Sequence, residues 1–357
     1  MFPNQIPSSA VPREPLSHPS PQIHEKHFQQ LQGQFQARGE ILFPCVPELL
    51  QLYLDQITTL FSSLNSVIEP TIRAQLPKEL ENQLISGFAT SPHSKLILTY
   101  EPSPQGVTLK LKPFISSVAD QYQDWVKLRE PPLFGTHPDA KVMAVAAQFP
   151  DPPRSPILDI GAGTGRNTLP LAQLGYPVDA VELTPAFVEQ IQEAAQKQKL
   201  PVRGILGDIL DRQVKLPPAY YQGVILCEVI ASHFGSVSHL RQLFARICDT
   251  LRPGGLLLFS LFLAVDNYEP DNLTRELSQV TWSCIFTRSE LAQAMDRLPL
   301  TLLSDESVLE YEREHLPSVA WPPTGWFIKW CQGENLFPLQ NQGKPPMELR
   351  WILCQRR

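Results

Sequence analysis

Ile157-Leu158-Asp159-Ile160-Gly161-Ala162-Gly163-Thr164-Gly165 is the stretch on which the fold turns. Ile157 to Ile160 is a short apolar run interrupted by Asp159, and glycines then occupy alternate positions at 161, 163 and 165. Thr168–Leu174 follows with a helix-like pattern. Tyr176–Val181 reads as a second strand, and Glu182 stands at its end. Strand, glycine turn, helix, strand and acid in that order make a nucleotide-binding βαβ unit. Glycine has no Cβ, so the chain can turn sharply and approach a ligand closely. An acid at the tip of the second strand is placed to accept from both hydroxyls of a ribose. Glycines alone also mark ordinary turns; preceded by Leu158-Asp159 and followed by Glu182, they indicate a ligand loop.

The spacing is Asp-x-Gly-x-Gly-x-Gly, not the Gly-x-Gly-x-x-Gly whose helix N-terminus faces a pyrophosphate. It resembles motif I of the class I S-adenosylmethionine-dependent methyltransferases, where the loop wraps the methionine part of the cofactor. Further parts follow in the order of that family. Pro201–Leu206 is a third strand ending in Gly207-Asp208-Ile209, and Gly223–Glu228 is a fourth, continuously apolar as in parallel sheets. Residues 238–251 form an amphipathic helix with Leu240, Leu243, Ile247 and Leu251 on one face. Leu251-Arg252-Pro253-Gly254-Gly255 is a turn before the fifth strand, Leu256–Leu263. Thr287–Leu298 is a helix with a capping box between Thr287 and Glu290. Leu300–Val308 and Met347–Gln355 are the last strands.

The resemblance covers roughly residues 138–357. It implies an α/β, Rossmann-like sheet of seven strands, the last antiparallel and inserted between strands five and six. It implies S-adenosyl-L-methionine as cofactor. Cofactor contacts are then expected at Asp159, Gly161, Ala162, Gly163, Thr164, Gly165 and Asn167 of the loop. Others are expected at Glu182 and Leu183 (ribose), Asp208 and Ile209 (adenine) and Cys227. Gly165-Arg166-Asn167-Thr168-Leu169 and Phe286-Thr287-Arg288-Ser289-Glu290-Leu291 are similar to the tellurite-resistance branch, which does not by itself fix a substrate.

The 357 residues suggest two domains or one with large additions, and their apolar fraction suits a sizeable core. The net charge is −6 and there is no run of Lys or Arg, which argues against duplex nucleic acid as partner. Six cysteines lack any C-x-x-C spacing, so zinc and a disulfide framework are not expected. No stretch is long and apolar enough to span a membrane, and no apolar signal core opens the chain. A reduced, cytoplasmic protein is the expectation.

Residues 1–22, rich in Pro, Ser and Gln, read as a disordered tail. Residues 23–115 read as an additional, mainly helical N-terminal domain with a β-hairpin. His24–Arg38 is a polar helix. Pro47–Leu64 is amphipathic, with Leu50, Leu54, Ile57, Phe61 and Leu64 on a stripe. Ile72, Leu76, Leu80 and Leu84 mark another helix. Lys95–Tyr100 and Val107–Leu111 flank the turn Ser103-Pro104-Gln105-Gly106. This domain is either a packing or dimerisation surface or a cap that selects the substrate. Residues 116–357 form the methyltransferase domain, with a Pro- and Trp-rich insertion at about 311–346. Its Trp321, Trp326 and Trp330 form a lid over an apolar acceptor or pack the loop onto the N-terminal domain.

Methyl transfer from a sulfonium needs alignment of nucleophile, carbon and sulfur in a water-poor cleft, and no protein nucleophile. A base is required only if the acceptor must lose a proton. His233, just beyond the fourth strand, is the candidate catalytic base; its other reading is a cap or core histidine. Glu228 and Tyr268 lie at the carboxyl edge of the sheet, where ligands bind in open α/β folds. With Tyr122 and Trp326 they are the substrate candidates; Trp125 and His137 are further candidates for the pocket wall, and Asp266, Asn267 and Glu269 are secondary. No Asn/Asp-Pro-Pro-Tyr/Phe tetrad is present, which disfavours nucleic-acid or protein amide and amine acceptors. A small-molecule acceptor is expected. The alternatives are a protein substrate gripped by the N-terminal domain and a non-catalytic scaffold.

Overall fold

The computed structural model describes residues 38–63, 66–104, 106–130, 132–265, 267–338 and 343–357. The expected tail and nearly all of the His24–Arg38 helix fall outside them.

The first unit is built from β1 (Gly39–Pro44), α1 (Leu50–Ser63), α2 (Pro70–Thr90), β2 (Lys95–Ser103) and β3 (Gly106–Phe114). The strands form an antiparallel sheet in the order β1-β2-β3. The expected hairpin is present. Gly106 closes it at φ +136°, where a Cβ would lie 2.1 Å from the Val67 carbonyl oxygen, so only glycine fits. Tyr53, Ile57 and Phe61 of α1 and Leu76, Leu80 and Leu84 of α2 pack on Leu96, Leu98 and Val107. The buried stripe of α1 is rotated from the expected one. Tyr53 is in the core, donating to the Pro44 carbonyl at 3.0 Å, while Leu50 and Leu54 are only partly buried. A large ring with a satisfied hydroxyl buries more surface than either leucine. Among the described residues the unit has three strands beside two helices.

The second unit begins with α3 (Val118–Leu128) and α4 (Ala140–Ala146). Then come β4 (Ile157–Ile160), α5 (Thr168–Gln173), β5 (Val178–Glu182), α6 (Pro185–Gln198) and β6 (Val202–Leu206). The chain crosses back through β7 (Tyr221–Leu226), α7 (Val229–His233), α8 (Val237–Thr250) and β8 (Leu251–Ala264). It ends with α9 (Asn272–Val280), β9 (Ile285–Phe286), α10 (Arg288–Met295), β10 (Leu300–Ser307), α11 (Val308–His315), α12 (Phe327–Cys331) and β11 (Met347–Arg356).

The strand order is β10-β11-β8-β7-β4-β5-β6, with β11 antiparallel to both neighbours as expected. Among the described residues the sheet has eight strands rather than seven, because Ile285 and Phe286 pair with the end of β8. Alternating residues feed two cores, as a period of two requires. Leu158, Val224 and Leu257 pack under α8, and Ile157, Ile225 and Leu258 pack on the opposite face. The Arg252–Gly255 turn is absorbed into β8, with an irregularity in the β7–β8 register between Tyr221 and Gly223.

The described part of the insertion packs on the second unit. Trp330 is buried and Trp321 partly buried in the core of the second unit. Glu312 of α11 is fully buried, accepting from the amides of Ala140 and Lys141 and from Trp351 Nε1.

The Thr287–Glu290 box is present: Thr287 Oγ1 accepts from the Glu290 amide at 3.2 Å, and Glu290 Oε2 from the Thr287 amide at 2.8 Å. Thr287→Ala is expected to cost about 1 kcal/mol, lowering the thermal midpoint by roughly 2–4 °C. An unchanged melting curve would mean that the cap contributes nothing to folding.

Candidate active site

The strand order reverses beside β4, since the chain goes first to β5 and later to β7. Open α/β sheets bind ligands at such a point. A cavity of about 620 Å³ lies there, a size typical of small-molecule sites.

One half of its wall is the glycine loop. Gly161 has φ +71°, and a Cβ there would come within 2.3 Å of Val229 Cγ2, so the turn demands glycine. Glu182, 5% exposed, accepts from the Gly163 amide on Oε2 and the Thr184 amide on Oε1, each at 2.8 Å. Each carboxylate oxygen keeps a further lone pair. Asp159 accepts from Thr168 Oγ1 at 2.6 Å. Asp208 caps its own turn through the Leu210 amide at 2.8 Å, with Ile209 buried beside it. Of the cofactor residues expected from sequence, all line the cavity except Gly165. A Cβ on Gly165 would meet Ile191 and Leu169, so this glycine serves helix packing.

Burial raises the Asp159 carboxyl to about 7, against the pull of the Thr168 hydroxyl and Arg166. The folded state then holds a proton that the unfolded state has lost. Stability must fall as pH rises from about 4 through 7, and level off above. Glu228 and Glu312, also raised to about 7 chiefly by burial, act in the same direction. Asp159→Asn is therefore expected to shrink, without abolishing, the fall in thermal midpoint between pH 5 and 7.5. An identical pH slope in the variant would place the Asp159 titration elsewhere.

At the floor sits a charge network that the sequence did not disclose. Arg166 pairs with Asp139 through Nη1 and with Glu228 Oε1 through Nη2, the latter at 3.1 Å. Asn167 holds Asp139 through its amide nitrogen at 2.9 Å. Glu228 has a left-handed backbone, φ +67°, and its amide donates to Ser260 Oγ at 2.8 Å.

The other half is aromatic. Tyr122 Oη lies 3.0 Å from His233 Nε2, and both face the cavity with Trp125 and Trp282. Trp282 is 5.2 Å from Trp125, 5.7 Å from Tyr122 and 5.3 Å from His233, ring centre to ring centre. It is braced from two sides. His93 of the first unit stacks on it at 3.9 Å, and Trp330 Nε1 donates to its carbonyl at 2.8 Å. Burial, with His93 adding to it, pushes His233 down to about 3. Its Nδ1 is buried without a partner.

Tyr122, Glu228 and Trp326, expected near the acceptor, line the cavity; Tyr268 does not. After β8 the chain folds back, packing the Tyr268 ring on Phe337 and its hydroxyl near Thr274. His137 is exposed and bonded to Thr136, outside the cavity wall. Asp266 lies outside the described residues; Asn267 and Glu269 are not part of the wall.

Residues 157–255 match the family described as a methyltransferase domain. The S-adenosyl-L-methionine-dependent Diels-Alderase iccD of Talaromyces variabilis is 30% identical over 135 residues, 36% of this chain and 45% of that protein. The uncharacterized methyltransferase YodH of Bacillus subtilis (strain 168) is 28% identical over 129 residues, 35% of this chain and 51% of that protein. The chain spans about half the length of these curated relatives. Among solved structures, geranyl diphosphate C-methyltransferase from Streptomyces coelicolor A3(2), in complex with Mg2+, geranyl diphosphate and S-adenosyl-L-homocysteine, aligns with a TM-score of 0.46. It is 17% identical, over 61% of this chain and 77% of that one. The [4+2]-cyclase SpnF aligns with a TM-score of 0.47 at 14% identity, over 67% of this chain and 95% of that one.

Proposed function

We propose that this chain is a class I S-adenosylmethionine-dependent methyltransferase acting on a small molecule. The observation that carries the reading is one cavity with two unlike halves. A glycine loop hydrogen-bonded to Glu182 faces an aromatic chamber enclosed by α3, α7 and Trp282. The residues present fit the cofactor: Glu182 retains free lone pairs for a ribose diol, and Ile209 offers an apolar face beside Asp208. When bound, the cofactor supplies a methyl group already activated on a sulfonium. The protein's part is to hold donor and acceptor in line and keep water out. A cavity of about 620 Å³ has room for a metabolite beside the cofactor, which favours a small-molecule acceptor. The likeness of Gly165–Leu169 to the tellurite-resistance branch supports placement near it without naming an acceptor.

His233 is proposed to orient the acceptor. A histidine held near 3 is a poor base at neutral pH, whereas through its Nε2 contact it can hold the Tyr122 hydroxyl toward a polar atom of the acceptor. If so, His233→Ala should raise KM more than it lowers kcat, with S-adenosylhomocysteine affinity unchanged. A drop of about 10²-fold or more in kcat at constant KM would restore the base role.

Calorimetry tests the cofactor assignment. S-adenosylmethionine and S-adenosylhomocysteine should bind, with NAD and ATP much weaker. Tight NAD binding without a response to S-adenosylhomocysteine would overturn it. A screen with labelled methyl donor against metabolite pools and lysate proteins then separates small-molecule from protein acceptors.

A further inference from the structure

We propose that the aromatic half of the cavity is a subsite for an organic ammonium, so that the acceptor is an amine recognised as a cation between tryptophan and tyrosine faces and the Glu228 carboxylate. The inference rests, for its chemistry, on the methyltransferase reading.

Three observations point to this class. First, Tyr122, Trp125 and Trp282 face the same space. Aromatic faces attract cations, most strongly where water is excluded. A cation already rests on this wall: the guanidinium carbon of Arg129 lies 4.0 Å from the Trp125 ring centre. Second, the charges lining the cavity are mostly negative. Glu182, Asp208 and Glu228 are there, against Arg129 and Arg166, while burial holds the Asp159 carboxyl up at about 7. Arg166 is already committed between Asp139 and Glu228. An anionic acceptor would face that field with only Arg129, already stacked on Trp125, to receive it. Third, Glu228 offers an unused oxygen. Oε1 accepts from Arg166, Oε2 accepts from no described residue, and the side chain is 22% exposed within the cavity wall. A half-buried carboxylate between another carboxylate and a single arginine lacks part of its compensation, and a ligand cation supplies it.

The transfer balances with one proton removed. A bound ammonium first gives a proton to Glu228 Oε2 or to solvent. The freed nitrogen lone pair then forms the N–CH3 bond as the S–CH3 bond breaks. The positive charge passes from sulfur to nitrogen, and a neutral thioether leaves.

The experiment is calorimetry on the full chain, with and without S-adenosylhomocysteine, using benzyltrimethylammonium and its neutral carbon isostere neopentylbenzene. Neither can be methylated, so the readout is binding alone. The cation should bind about tenfold more tightly than the isostere. Glu228→Gln and Trp125→Leu should each remove most of that advantage; Trp125 sits at the partly exposed rim of α3, so its loss spares the fold. Equal affinity for the two probes, or preference for the neutral one, overturns the proposal. So does a Glu228→Gln protein that loses S-adenosylhomocysteine as strongly as it loses the cation, because the carboxylate then serves the cofactor. If S-adenosylhomocysteine fails to bind while the cation preference holds, the methyltransferase reading falls and the ammonium subsite stands.

Discussion

Arg166→Met is expected to destabilise the protein by about 3–5 kcal/mol, the cost of leaving buried carboxylates without their partner. The Arg166 side chain is 7% exposed and Asp139 is 3% exposed, so neither solvent nor salt replaces the lost guanidinium. Asp139 and Glu228 would then repel each other, and protonation relieves the repulsion. The penalty should therefore be larger at pH 8 than at pH 6, because Glu228, whose carboxyl burial raises to about 7, is ionised at the higher pH and weakens the folded state there. Arg166→Lys keeps the charge but loses the planar fork that reaches both acids, so an intermediate loss is expected. Urea denaturation at the two pH values provides the measurement. A methionine variant within about 1 kcal/mol of the parent at pH 8 would mean that the ion network is not formed.

The second large effect concerns Glu182→Ala. Charge-assisted hydrogen bonds to a ribose diol are worth about 1.5–3 kcal/mol, so affinity for S-adenosylhomocysteine should drop roughly ten- to a hundredfold. The structure adds a consequence for folding. Glu182 also satisfies the amides of Gly163 and Thr184, and removing it orphans both. A concurrent stability loss of about 1–3 kcal/mol is expected. Calorimetry well below the melting range separates the two effects. Parent-like affinity in the folded variant would show that the ribose is not held at the end of β5.

The two halves of the cavity differed in how far sequence could read them, and the reason is physical. The cofactor half is written locally. The glycines of the loop are adjacent to β4, and Glu182 ends the next strand, so spacing alone carries the geometry. The aromatic half is assembled by contacts between distant segments. Tyr122 meets His233 across 111 positions. Trp282 occupies a left-handed turn, φ 57°, which follows no helix or strand period. Its stacking partner His93 comes from a different unit altogether. Arg166 and Asp139 were visible as letters, but nothing in their spacing says that they meet. Tyr268 shows that a place at the sheet edge does not imply a place in the cavity, since its ring packs on Phe337 instead. Strand β1 escaped notice as six residues between a polar stretch and the helix-starting Pro47.

The bracing of Trp282 bears on how such a protein can change over generations. The glycine loop is constrained at Gly161, where a methyl group collides with Val229. The opposite wall is drawn from α3, α7 and the turn at Trp282, with His93 bracing that turn, and none of these belongs to a strand of the main sheet. A lineage can therefore redraw the shape of its substrate by altering His93 or the turn around Trp282 while the donor cradle stays fixed. Divergence in ligand shape should then concentrate in the first unit and the late insertion, with the glycine-loop half held constant.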